Sequence, residues 1–324
     1  MPYSRRTILH TAVATVVATI LSTAAIAQDK DFKILIPSGP GGGWDQTARA
    51  MQQALMQSGV AKGVQVTNVP GAAGAIGLAQ FVNNTKGDPS QLMMSGSAMV
   101  SGILTNNAPV KLDQVTPIAR LMAEYLAVVV PPDSPIKTAK DLMDRVKADP
   151  AKVTWGGGAA GGIDHVAVGL FTKLAGVDPG KMNYVAFSGG GEALAAILGG
   201  KVTAGISGYG EFESQIKAGK LRLVGITSAS RIPEIDALTF KEQGVDLEVL
   251  NWRSVMAAPG ITPDQKKDIT TAIEAMAKSK EWQEILKQKN WADSYLPGDA
   301  FAKFLAEDQA RTKEVLTSLG LVKS

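Results

Sequence analysis

Four stretches of this chain end an apolar run in glycine and then place an acid. They are residues 34–49 (ILIPSGPGGGWDQTAR), 153–165 (VTWGGGAAGGIDH), 183–192 (NYVAFSGGGE) and 204–211 (AGISGYGE). Glycine lets the backbone turn tightly and brings its amides close to a ligand. An acid opening a helical pattern marks a helix N-terminus, where free N–H groups and the positive end of the dipole meet. That combination seats an anion. Two further small-residue turns, NVPGAAGAIG and MMSGSAMVSG, lie between the first and second stretches. One such loop reads as a packed turn, but several at the carboxyl ends of parallel strands can converge on one crevice.

What the loops lack narrows the anion. A nucleoside triphosphate loop needs G-x-x-x-x-G-K-[ST], and no lysine stands at that spacing. A dinucleotide loop needs G-x-G-x-x-G, and after Gly39 and Gly41 the third glycine is replaced by Trp44. A small carboxylate remains, held by backbone N–H and hydroxyl groups.

Catalysis has few groups to draw on. The chain has no cysteine, which excludes disulfides, thiolate chemistry and cysteine metal sites. Its two histidines are His10 and His165, so a histidine-rich metal site is excluded and a triad would have to use His165. Ser207 sits in Gly205-Ile206-Ser207-Gly208-Tyr209, where tyrosine replaces the last glycine of a nucleophile elbow. No catalytic residue, metal ligand or cofactor is assigned. A secreted hydrolase or lyase acting on a carboxylated substrate stays as an alternative that lacks an evident nucleophile and base.

The loops need strands and helices to hold them. Ile34, Leu35 and Ile36, flanked by Phe32, read as a buried parallel strand that Pro37 ends. The pattern then predicts a helix from Asp45, a strand at 64–69, a helix at 72–82 and a strand at 92–94. Residues 118–130 (IARLMAEYLAVVV) stay apolar up to Pro131-Pro132, as a strand crossing into a second domain would. The chain begins afresh at 134, with Thr138 as a helix N-cap. Strand and helix then alternate, which predicts a mostly parallel sheet covered on both faces. Residues 245–256 form the return strand, and Thr262-Pro263 opens a long helix. A last helix follows Pro297-Gly298-Asp299 and ends near Gly320.

The 324 residues suffice for two domains, and 45% hydrophobic with 19% charged residues marks a globular chain. Arg5, Arg6, an apolar core at 8–25 and Ala25-Ile26-Ala27 form a signal peptide cleaved after Ala27. Residues 4–9, SRRTIL, also fit a twin-arginine signal, so the export route stays open. The short, threonine-rich core speaks against a permanent anchor. Cleavage leaves 31 basic residues against 30 acidic ones, so charge gives no case for nucleic acid or an anionic membrane.

In order along the chain, SGPGGGWDQTAR, VTNVPGAAGAIGLAQF, WGGGAAGGIDH, NYVAFSGGGEALAAILGG and GISGYGEF resemble the substrate-binding proteins of tripartite tricarboxylate transporters, the Bug receptor family. The resemblance spans the mature chain and is nearest the citrate and tricarboxylate receptors. It implies an α/β periplasmic-binding-protein fold, type II-like, with mostly parallel or mixed sheets and a ligand cleft between domains joined by two crossing strands. One domain would comprise 28–125 and 250–324, the other 126–249. It implies a monomer in the periplasm that gives a small carboxylate to membrane permease subunits and is not an enzyme. A receptor that signals to a membrane sensor kinase would bind the same ligand.

The candidate ligand contacts follow the loops. Ser38, Gly39, Gly41, Gly42 and Gly43 form one jaw, and the resemblance makes it one side of a carboxylate pincer. Asp45 reads either as a helix-start cap or as a contact for a ligand hydroxyl or ammonium, and Arg49 pairs with it through i,i+4 spacing. Ala159, Ala160 and Gly161 form the opposing jaw, with Asp164 as a cap and His165 as a donor or a packed ring. Ser188, Gly189 and Glu192 form a third loop, Ser95 and Ser97 end a strand, and Tyr209 either walls the pocket or packs. Trp44 and Trp155 read as core.

Overall fold

The computed structural model describes residues 30–323 except Gly189. The signal peptide at 1–27, its cleavage after Ala27, and the candidate Gly189 lie outside the described residues.

The chain builds β1 (Asp31–Ile36), α1 (Gly43–Gln57), β2 (Gly63–Asn68), α2 (Ala75–Asn84), β3 (Gln91–Gly96) and α3 (Ser97–Thr105). The long β4 (Thr116–Val130) follows, then α4 (Ala139–Ala148), β5 (Thr154–Gly157), α5 (Ile163–Leu174), β6 (Asn183–Ala186) and α6 (Gly190–Leu198). Next come β7 (Ala204–Gly208), α7 (Tyr209–Lys217), β8 (Arg222–Ile226) and β9 (Leu250–Ala257). The chain closes with α8 (Pro263–Lys278), α9 (Lys280–Gln288), β10 (Ala292–Pro297) and α10 (Gly298–Ser318).

The sheet runs β2-β1-β3-β9-β4-β7-β5-β6, with β10 and β8 also pairing β4. Pairing is parallel at β2-β1-β3 and at β7-β5-β6. It is antiparallel wherever β4 or β9 takes part. β4 is the member common to both halves. Its residues 116–125 pair β9, and 126–130 pair β7 and β8. The unbroken apolar run is explained by burial on both faces. Leu126, Val128 and Val130 enter one core cluster, while Ala127 and Val129 enter another on the opposite face.

Three boundaries differ from the sequence expectation. The return strand pairs only from Leu250, although Val249 N–H already donates to Thr227 O. The long helix breaks at Ser279, whose extended backbone ends α8 and whose Oγ caps α9 by accepting Trp282 N–H. Residues 72–74 are not the first turn of α2. Ala72 and Ala73 have φ of 47° and 50°, so a left-handed turn precedes the helix. Thr138 and Thr262 do cap α4 and α8, each in a reciprocal box with the side chain three residues on.

Candidate functional site

The loops after β1 and β5 have the same conformation. Gly41 and Gly161 take φ of 78° and 77°, which only glycine adopts without strain. Gly42 and Gly162 follow in extended conformation as the N-caps of α1 and α5. In each loop a side chain four residues on accepts the positive-φ glycine's amide. Gly41 N–H donates to Asp45 Oδ2 at 3.0 Å, and Gly161 N–H donates to His165 Nδ1 at 3.0 Å. The glycine loops thus hold two helix N-termini at the walls of one cavity of about 320 Å³.

Further loops complete the walls. The turn at 71–74 lines the cavity with Ala72 and Ala73 still left-handed, a strain of about 1–3 kcal/mol per residue. Gly102 of α3 makes room for it, because a Cβ there would land on Ala73. Phe187 and Ser188 close another side. The halves touch across the cavity: Gly39 N–H donates to Ser188 O at 3.2 Å, and Asn106 Nδ2 donates to Ala160 O at 3.3 Å. On the outside, Leu316 of α10 and Leu319 just beyond it pack on Val166 of α5.

The floor carries charge. Arg253 of β9 is 2% exposed; its Nη2 pairs with Glu124 of β4 and lies 3.7 Å from Glu211 of α7. Its Nη1 donates to Thr47 Oγ1 at 3.1 Å. Asp164 Oδ2 accepts Gly158 N–H at 2.9 Å. Burial pushes the Asp164 carboxyl up to about 7 and the Glu211 carboxyl up to about 8. Burial also raises Glu124, against the pull of Arg253. Asn251 Nδ2 donates to Glu124 Oε1 at 3.4 Å, and Ser97 Oγ donates to Asn251 Oδ1 at 2.9 Å.

A pH dependence of stability follows. In the unfolded chain both acids titrate near 4. Their folded values are higher, so between about pH 4 and 8 the folded protein holds protons that the unfolded chain does not. Stability from these groups is therefore lost as pH rises through that window. His165 is shifted down by burial, so its effect has the opposite sign but acts below its ordinary value near 6.5. The thermal midpoint should fall by several degrees from pH 6.5 to 9 in scanning calorimetry. Asp164→Asn and Glu211→Gln should each flatten the slope; a parent midpoint that rises over this range would refute the assignment.

The candidate residues divide by position. Ser38, Gly42, Gly43, Ala159, Ala160, Asp164 and Ser188 line the cavity. Gly39, Gly41 and Gly161 are not among the lining residues. Asp45 is buried off the lining. Burial works against its charge, but hydrogen bonds from Arg49, Gly41 and Asn68 outweigh that and lower its pKa. His165 stacks on Tyr184 with ring centroids 4.4 Å apart, and no serine hydroxyl bonds to it among the described residues. Glu192 accepts Ser188 N–H at 3.2 Å, and Tyr209 packs in the core near Phe212. Ser95 is buried against Met99. Trp155 is core, whereas Trp44 both packs in the core and lines the cavity. The sequence reading did not single out Arg253, Glu124, Asn251, Asn106 or Phe187, and it noted Glu211 as the acid of the fourth stretch without offering it as a ligand contact. For Arg253 and Glu124 the detectable signal was charge inside strands patterned for burial.

Comparison with known proteins agrees with this architecture. Residues 47–321 match the family model described as the tripartite tricarboxylate transporter family receptor. Protein BugT of Bordetella pertussis is 26% identical over 323 residues, covering 96% of this chain and 98% of its own. The periplasmic binding protein BugD shares the fold at a TM-score of 0.83 and 21% identity, over 92% of this chain and all of that one. MatC from Rhodopseudomonas palustris, solved with bound malate, does so at 0.79 and 20% identity, over 89% and 99%. With its glycine loops facing one another across a cavity, and with a family match over most of its length, the chain belongs to the tripartite tricarboxylate transporter receptor family.

Proposed function

We propose that this protein is a periplasmic receptor that closes around a small carboxylate and delivers it, as a monomer, to the membrane subunits of a tripartite tricarboxylate transporter. The carrying observation is the pair of like-built glycine loops that aim the N-termini of α1 and α5 at one cavity. Two converging helix N-termini suit a carboxylate without requiring a side-chain cation. Residues 28–125 with 250–324 would form one lobe and 126–249 the other, with β4 as their hinge. Malate in MatC supports the ligand class, and citrate stays within it.

A thermal-shift panel of tricarboxylates, dicarboxylates, amino acids and aromatic acids tests this. A ligand at about 100 times its Kd adds roughly 2.7 kcal/mol. In a protein of this size that raises the midpoint by several degrees. Shifts confined to sugars or nucleotides would end the carboxylate reading.

A further inference from the structure

Charge at the floor bears on which carboxylate enters. The charged residues lining the cavity are Asp164, Glu211 and Arg253 among the described residues. Arg253 is already committed. One terminal nitrogen pairs with Glu124, the other donates to Thr47, and its guanidinium lies 5.9 Å from the Trp291 ring centre. Gly43 covers it so closely that a Cβ there would land on the guanidinium. Glu211 is the opposite case. Its side chain is 6% exposed, and its Oε2 is buried with no hydrogen-bond partner among the described residues. A buried carboxylate oxygen without a donor is costly to maintain.

We propose that the floor formed by Glu211 and Asp164 receives an ammonium group, so that the preferred ligand is an amino-carboxylate with its carboxylate at the glycine loops and its ammonium at Glu211. This rests on the receptor reading above and narrows it. An ammonium has three donors, and Glu211 Oε2 offers a vacant acceptor. A second carboxylate would hold the two lining acids in their protonated forms and take up protons on binding, and would have to displace Glu124 or Thr47 to reach Arg253. A metal ion is the weaker occupant, since among the described residues no three acidic or histidine side chains converge to hold one. Glu124 and Arg253 face Glu211 from the neighbouring strands, and the Ser207 hydroxyl neighbours both lining acids; Arg253 is shared with Glu124, so it offsets the two lining acids only in part. An arriving ammonium favours their ionised forms, so binding near pH 7.5 should release protons to the buffer.

The test is calorimetric titration of the mature protein with three length-matched sets. β-Alanine, succinate and butyrate differ only in the far group, as do 4-aminobutyrate, glutarate and valerate. L-Aspartate and L-malate compare an ammonium with a hydroxyl in a branched frame. The expected result is at least tenfold tighter binding of an ammonium-bearing member than of its partners in at least one set, with proton release that depends on buffer ionisation enthalpy. In Glu211→Gln that preference should shrink tenfold or more, and Asp164→Asn should reduce it if Glu211→Gln does not fold. The inference is overturned if a member without the ammonium binds as tightly as its ammonium counterpart in every set. It is equally overturned if the variants leave the ratio unchanged. Should no carboxylate bind at all, the receptor reading falls first and this one falls with it.

Discussion

Replacing Arg253 by methionine should lower folding stability by about 3–5 kcal/mol, the cost of removing one partner from a buried ion pair. Methionine keeps most of the volume, so the loss comes from charge. Glu124 and Glu211 would remain buried beside the site without a cation. They can escape the penalty only by taking up protons, so the loss should be larger at pH 8 than at pH 6. Urea unfolding at both pH values measures this. Adding Glu124→Gln to Arg253→Met should restore part of the stability, because it removes the stranded acid. An Arg253→Met midpoint equal to the parent's at pH 8 would show that the pair does not support the fold.

Gly161→Val should abolish measurable binding while leaving a folded protein. At φ 77° a valine is strained by about 1–2 kcal/mol. Its Cβ would also land on Thr105 Oγ1 at the end of α3, in the opposite half. The side chain would act as a wedge between the halves. Affinity should fall at least a hundredfold in calorimetry, and small-angle scattering should show no contraction on adding ligand. Gly176→Val supplies the control. Its φ is 75°, so the backbone penalty is alike, but nothing lies within 4 Å of a Cβ there. Gly176→Val should lose similar stability and bind normally. Equal binding by the two variants would separate the loop from ligand capture.

Much of the frame was legible because two periodicities carry it. Strands buried on both faces read as unbroken apolar runs, and helices announce themselves by their caps, as at Thr138 and Thr262. The glycine loops were legible too, but not their register. Matching the first and second loops by their acids aligns Asp45 with Asp164. The backbone aligns Asp45 with His165, since both accept an amide from the glycine four residues before. That leaves Asp164 one residue earlier, lining the cavity. The left-handed Ala72 and Ala73 had no signal, because alanine is not a residue that marks such a turn. Arg253 and Glu124 were hidden for another reason. They lie in different strands far apart in sequence, and only the antiparallel pairing of β4 with β9 makes them neighbours.

The loops that meet across the cavity do so through Gly39 N–H to Ser188 O and Asn106 Nδ2 to Ala160 O, both uncharged pairs. Bonds of that kind contribute about 0.5–1.5 kcal/mol each. Together they can slow an occupant's departure by no more than roughly a hundredfold. Residence time beyond that must come from contacts with the occupant and from the packing of α10 on α5. Across a ligand series, dissociation rates should follow affinity while association rates stay nearly constant. Emptying the protein at a membrane would then need no force to part the rims, only the loss of what the ligand and the packing of α10 on α5 hold.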